Sequence, residues 1–144
     1  MNSRRLKTIR QLADLREREQ ARRYAAEQRV AEAQARRLDD IERYIAEYEG
    51  ARLGTLAPAL LANHLAFVAQ LGEAREQQRR QVANAALACE AERGRLVEAR
   101  RGAAVYERLS DTLAARERAE AESRAQGELD EHGQHPRTPT DQRR

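Results

Sequence analysis

The sequence predicts an all-α fold, a long antiparallel coiled-coil hairpin of two helices in which helix 2 is longer than helix 1. Charged residues make up 35% of the chain and aromatic residues only 3%, whereas a globular core of this size normally buries several large rings. Apolar residues recur at helical spacing over two long segments. Glycines and a proline interrupt the pattern between Gly50 and Pro58.

The break between the two segments sets the domain organisation. Pro58 fits the first turn of a helix, where its missing N–H group costs nothing. We expect helix 1 at about 4–49, a turn at about 50–58 and helix 2 at about 58–131, so that residues 1–132 form the hairpin. Residues 133–144 contain two prolines and almost no apolar side chains, and we expect them to form a disordered tail.

Helix 1 has its clearest apolar stripe near the turn. Leu38, Ile41, Ile45 and Tyr48 are spaced by three or four residues, which places them on one face. The same register continues toward the N-terminus more weakly, because Gln20, Glu27 and Gln34 interrupt Leu6, Ala13, Tyr24 and Ala31.

Helix 2 carries a seven-residue repeat, which predicts a left-handed coiled coil. One series consists of Leu61, Val68, Arg75, Val82, Cys89, Leu96, Ala103 and Ser110. The interleaved series consists of His64, Leu71, Gln78, Ala85, Glu92, Ala99, Tyr106 and Leu113.

The short connection favours an antiparallel hairpin over a parallel dimer, because helices joined by short loops usually become neighbours. A turn centred near residue 54 places Tyr48 near Leu61 and Ile45 near His64. Helix 2 then has no partner beyond about residue 105, where its apolar stripe continues through Tyr106, Leu109 and Leu113. An isolated helix with such a stripe is marginal in water, which indicates a binding function.

Tyr44 and Phe67 lie close to the seam but outside the strict heptad positions. They have two interpretations: an exposed apolar patch that binds a partner, or a widening of the seam. The segment 1–23 contains eight Arg or Lys residues against three acidic residues, although the net charge of the chain is only +3. A basic segment of this kind can bind acidic protein, nucleic acid or lipid headgroups, or can be a solvated helix face.

The residues that usually support catalysis are not arranged for it. His64 falls on the seam as a packing residue, and His132 and His135 lack a second pair of metal ligands. Cys89 also falls on the seam and, as a lone cysteine, forms no disulfide within the chain. No phosphate-binding loop, signal peptide or 18-residue apolar span is present. We predict a protein that is not an enzyme and needs no cofactor.

Three elements carry a resemblance to a known family: LDDIERYIAEY at 38–48, NHLAFVAQLGEAREQQ at 63–78 and QGELDE at 126–131. In this order and spacing, over most of residues 4–131, they resemble the flagellar export protein family FliJ. The resemblance implies a stalk that inserts the end with both termini into the hexameric export ATPase and stimulates it. It also implies binding to the cytoplasmic domain of the export-gate membrane protein, escort of export chaperones, and a cytoplasmic location at the inner-membrane export apparatus.

The resemblance further implies two sets of partner-binding residues. Those matching the gate-binding motif are Leu38, Ile41, Tyr44, Tyr48, Phe67, Leu71 and Ala74. Those expected to contact the ATPase ring, at the terminal end, are Leu6, Ile9, Tyr106, Leu109, Leu113, Gln126, Leu129 and Asp130. Gln78 stands where the family can have histidine, and helix 2 lacks the family's tryptophan.

Two alternatives to the flagellar interpretation imply different binding partners. One is the equivalent stalk of a virulence type III secretion system, which has the same mechanics. The other is a basic coiled-coil nucleic-acid binder that uses the arginine-rich segment, whose binding would be steeply salt-dependent. The acidic residues Glu17, Glu19 and Glu27, which are interspersed with the arginines of helix 1, and the scarcity of stacking rings count against the second alternative. We therefore expect neither a nucleic acid nor a small molecule as ligand.

Overall fold

The computed structural model describes residues 2–50, 54 and 57–134. It contains two helices, α1 (Ser3–Glu49) and α2 (Pro58–Gly133), and no strand among these residues. α2 has 76 residues against 47 in α1, so the predicted all-α fold with a longer second helix is confirmed. Most of the predicted turn and residues 135–144 of the predicted tail lie outside the described residues.

Local sequence explains where both helices begin. The side-chain oxygen of Asn2 accepts a hydrogen bond from the Arg4 backbone N–H at 3.0 Å, which caps one of the free donors at the start of α1. At the other end of α1, the Gly50 N–H still donates to the Ala46 carbonyl at 2.9 Å. α2 begins at Pro58, the residue type whose fixed φ suits a first helical turn.

The described residues fall into two compact units. The first contains residues 2–14 of α1 with residues 102–134 of α2, and the second contains residues 15–50 with residues 57–101. In the second unit, contacts join Tyr48 to His64 and Gln34 to Gln78. Positions therefore rise along α2 as they fall along α1, and the helices are antiparallel, as predicted.

The core of each unit is a narrow seam. The first unit buries Leu6, Ala13 and Ala103, and the second buries Ile45, Ala85 and Leu96. All six belong to the predicted heptad positions, and every predicted seam position of α2 except Tyr106 is buried or half-buried. The sequence periodicity therefore identified the faces that meet. Three of the six buried residues are alanines.

The observed ring contacts are shifted from the predicted pairs by about one helical turn. Ile45 was expected near His64, whereas the His64 ring lies against Tyr48, with centroids 5.8 Å apart. Helical side chains lean toward the N-terminus of their own helix. The tip of each side chain therefore lies at the height of an earlier Cα atom of its own helix. In an antiparallel pair, the side chains that touch have higher residue numbers than the residues whose Cα atoms lie opposite each other.

The same shift corrects the predicted overhang. Arg10 of α1 forms salt bridges to Glu107 at 3.5 Å and to Asp111 at 3.6 Å, although α2 was expected to have no partner beyond about residue 105. Every described residue from Ala115 onward is exposed. Arg116 and Glu117 still line grooves together with residues of α1. The unpartnered segment of α2 is therefore 118–133, and Tyr106, Leu109 and Leu113 do not belong to it.

The apolar content of the helices also bears on membranes. Over the described ranges, neither helix contains a stretch that is long and apolar enough to cross a bilayer.

Candidate partner-binding surfaces

Four rings form a cluster in the second unit, where α1 ends and α2 begins. We call Tyr44, Tyr48, His64 and Phe67 the aromatic surface. Tyr48 is its centre, with ring centroids 5.1 Å from Tyr44, 5.8 Å from His64 and 4.9 Å from Phe67. These separations are in the favourable range for paired aromatic rings, so the cluster also ties the two helices together.

Helical spacing explains why the rings meet. Tyr44 and Tyr48 are four residues apart on α1, and His64 and Phe67 are three apart on α2, so each pair shares a face. Tyr48 and His64 occupy seam positions, while Tyr44 and Phe67 flank the seam and are 46% and 37% exposed. Of the two interpretations of these flanking rings, their exposure favours a patch that is accessible to a partner.

The aliphatic residues predicted with the rings lie differently. Leu38, Ile41, Leu71 and Ala74 are all half-buried, like Tyr48. They pack the helices against each other and support the exposed rings. His64 was not among the predicted binding residues, and the signal that could have found it was its seam position one helical turn before Phe67.

The phenol of Tyr48 is held in its protonated form. A hydrogen bond with Tyr44 raises the pKa of Tyr48 above its ordinary value of 10.0, and the negative charge of an ionised Tyr44, partial burial and Glu47 act in the same direction. Tyr48 therefore stays uncharged to a higher pH than an isolated tyrosine.

A second candidate surface lies in the first unit, which holds both ends of the described chain. We call it the terminal groove. It has a volume of about 340 Å³ and is lined by Leu6, Ile9, Tyr106, Leu109, Thr112, Leu113 and Arg116. Five of these residues are predicted ATPase contacts, and Leu109 is 50% exposed. The groove offers an apolar floor with one guanidinium group.

The charges around the groove are mainly basic on α1. A polar groove of about 670 Å³ in the same unit is lined by Asn2, Ser3, Arg4, Lys7, Ser110, Ala114 and Glu117. Arg4 and Lys7 lie on the first turns of α1, where no acidic residue is present, and they add to the positive end of the helix dipole. This end of the unit therefore favours an acidic partner.

The remaining predicted ATPase contacts lie elsewhere on α2. Gln126, Leu129 and Asp130 are exposed and belong to the unpartnered segment, with Leu129 at 66% exposure. Gln126 is thirteen residues beyond Leu113, or about 20 Å along a helix. The structure does not bring these three residues to the terminal groove.

The described residues contain no group of three His, Cys, Asp or Glu side chains that is arranged to hold a metal ion. Cys89 is half-buried on the seam, where it packs as a small apolar side chain. His132 is exposed, and His135 lies outside the described residues.

The comparisons with known proteins bear on these surfaces. The family model described as Flagellar FliJ protein matches residues 1–136, a range that contains both the aromatic surface and the terminal groove. No curated protein and no solved structure matches the chain. Because the family match covers nearly all of the 144 residues, the chain belongs to the flagellar FliJ protein family and is a component of flagellar type III protein export.

Proposed function

We propose that this chain is the coiled-coil stalk of the flagellar export ATPase hexamer, which it stimulates and couples to the export gate. The observation that carries the proposal is that each unit has its own accessible apolar surface. The terminal groove in the first unit contains five residues expected to contact the ATPase ring, and the aromatic surface in the second contains the rings expected to contact the gate protein. The family match supports the flagellar system over a virulence secretion system.

The terminal groove is suited to the ATPase by its chemistry. Its apolar floor can accept a hydrophobic side chain from the ring, and Arg116, Arg4 and Lys7 supply positive charge at the same end. Such a charge distribution attracts acidic loops and accelerates their association. Gln126, Leu129 and Asp130 make a second set of contacts farther along the unpartnered segment of α2.

The aromatic surface is suited to the cytoplasmic domain of the gate protein. Exposed rings that are held in place by neighbours bind with little loss of side-chain entropy and are enriched among residues that dominate binding energy. Tyr44 and Phe67 make the direct contacts, and Tyr48 lies between them. Binding there associates the chain with the membrane through the gate protein, and export chaperones are escorted on the same hairpin.

Two variants separate the two contacts. Leu109→Arg introduces a charge into the terminal groove, and we expect it to abolish stimulation of ATP hydrolysis while leaving gate-domain affinity unchanged. Tyr44→Ala combined with Phe67→Ala is expected to weaken gate-domain binding in a calorimetric titration while leaving the ATPase response unchanged.

Matched controls lie on exposed positions outside both surfaces. Leu87→Arg places the same charge on an exposed leucine of the second unit, and Val30→Ala removes an exposed side chain from α1 of that unit. Neither is expected to alter either measurement. Undiminished stimulation by Leu109→Arg, or undiminished gate affinity in the Tyr44 and Phe67 double variant, contradicts the corresponding half of the proposal.

A further inference from the structure

A side-chain amide crosses the seam in the second unit. The Gln78 Nε2 group donates hydrogen bonds to the backbone carbonyl of Gln34 at 2.9 Å and to its side-chain Oε1 at 2.7 Å. Both residues are half-buried. In the described part of the second unit, these are the only hydrogen bonds that join α1 to α2, the remaining polar links being the salt bridges Glu42–Arg79 and Glu17–Arg100.

The bond to the Gln34 side chain is the one that depends on register. Every residue of a helix has a backbone carbonyl, so a bond to the main chain can form again one heptad away, whereas the α1 seam residues one heptad away, Glu27 and Ile41, have no side-chain amide. The Gln34–Gln78 amide pair therefore marks one axial position on α1. Charge-neutral amides buried in a coiled-coil seam are known to specify register, because a misplaced amide is left without a partner.

The neighbouring seam layers would penalise a slip. Moving α2 by one heptad keeps the same faces together but places Gln78 opposite Ile41, which has no side-chain acceptor, or opposite Glu27, whose carboxylate can accept a bond. The same movement places Gln34 opposite Ala85 or Leu71, so in either slip the side chain of Gln34 loses its side-chain partner. The alanines along the seam are small and similar to each other, so their packing distinguishes poorly between such registers.

We propose that Gln78 is a positioning residue whose bond to Gln34 selects the axial register of the second unit and thereby assembles the aromatic surface. Tyr48 lies two heptads after Gln34, and His64 lies two heptads before Gln78, so both pairs belong to one register. A slip by one heptad removes Tyr48 from His64 and Phe67. The expected effect of Gln78 on partner binding rests on the proposed gate-binding function. Its expected effect on the register of the two helices does not depend on that function.

The register can be measured with spin labels and pulsed electron resonance in the full chain carrying Cys89→Ala. Labels at the exposed positions Arg29 and Gln70 are offset along the axis, so a slip of one heptad changes their axial separation by about 10 Å. The chain with native Gln78 is expected to give one distance. Gln78→Leu is expected to add a second population displaced by that amount, and Gln77→Leu, at an exposed neighbouring position, is expected to leave one distance.

Two further variants keep the test decisive. Gln78→Asn retains the amide but shortens its reach by one methylene, and it is expected to give the second population even if Gln78→Leu loses helicity. Gln34→Ala removes the Oε1 acceptor and leaves the backbone carbonyl, and it is also expected to add the second population. A single unchanged distance in both Gln78 variants, with helicity retained in at least one, would overturn the proposal.

Titration of the same variants with the gate cytoplasmic domain separates the register from the proposed function. If only the native register binds, apparent affinity falls by the fraction of molecules that slip, about twofold when half have slipped. A slipped population with unchanged gate affinity supports the register role of Gln78 and contradicts gate binding by the aromatic surface.

Discussion

The ring of Tyr48 packs edge-on against Phe67, with centroids 4.9 Å apart and ring planes inclined by 61°. This contact joins the C-terminal end of α1 to the N-terminal end of α2. It uses the only phenylalanine in the sequence and one of four tyrosines. Most other apolar positions of the seam are aliphatic, so the contact is a local source of stability, and it lies in the surface proposed for gate binding.

Tyr48→Ala is expected to destabilise the chain by about 2 kcal/mol, because it removes three ring contacts that each contribute roughly 0.5–1.5 kcal/mol beyond the buried area. Thermal unfolding followed by circular dichroism measures the change. Tyr24→Ala is the matched control, since Tyr24 is also half-buried on α1 but forms no ring pair among the described residues. Equal destabilisation by the two variants would show that the ring cluster adds nothing.

The raised pKa of Tyr48 predicts a specific dependence on alkaline pH. Because the folded-state pKa lies above the ordinary 10.0, the stabilisation from this phenol is complete below about pH 10 and is lost as the pH rises through the folded-state value. Absorbance of the phenolate is expected to show one tyrosine titrating late. Tyr44→Phe removes the hydrogen bond that is the largest cause of the raised pKa, so it should lower the pKa of Tyr48. Tyr24→Phe should leave the pKa of Tyr48 unchanged. Simultaneous titration of all tyrosines in the native chain would contradict the assignment.

Two buried oxygens weaken the seam. Gln20 Oε1 and Glu92 Oε2 are buried without a hydrogen-bond partner among the described residues, and each such group costs about 1–3 kcal/mol. Gln20→Leu combined with Glu92→Leu is expected to stabilise the chain by at least about 1 kcal/mol in urea unfolding, even though Arg95 loses its salt bridge to Glu92.

The control for this prediction is Glu98→Leu, which removes a carboxylate with an equivalent bridge to Arg101 from an exposed position. Surface changes of this kind usually stay within about 0.5 kcal/mol. No gain in stability from the Gln20 and Glu92 double variant would mean that those oxygens are hydrated or otherwise satisfied in solution.

Truncation distinguishes the terminal groove from the unpartnered segment. Ending the chain after Glu117 keeps the lining of the groove and the partners of Arg10, so the thermal midpoint should change little. Stimulation of the ATPase should fall because Gln126, Leu129 and Asp130 are lost.

Ending the chain after Val105 also removes Tyr106, Leu109 and Leu113 and exposes Leu6. This truncation is expected to lower the thermal midpoint as well as to abolish stimulation. Full ATPase stimulation by the chain that ends at Glu117 would exclude a contribution from the segment beyond the groove.

The predicted residues of the two surfaces illustrate how far a sequence can be interpreted. Leu6, Ile9, Tyr106, Leu109 and Leu113 could be assigned to one end of the fold from their heptad positions and the antiparallel direction, and they line one groove. Gln126, Leu129 and Asp130 could be assigned to the same end only by their order along the chain. The position of a residue in the sequence specifies its distance along the helix, but it does not specify which residues form a common surface.

The sequence by itself determined that the chain forms two helices of unequal length and which face of each helix is buried. A seven-residue apolar period selects a face wherever the helix lies, so Ile45, Ala85 and Leu96 could be identified without coordinates. Only the tertiary structure decided which seam residues meet. Slips by a whole heptad preserve the same faces, and side-chain lean adds about one turn, so the pairing of Tyr48 with His64 and of Gln34 with Gln78 depends on how the two helices pack.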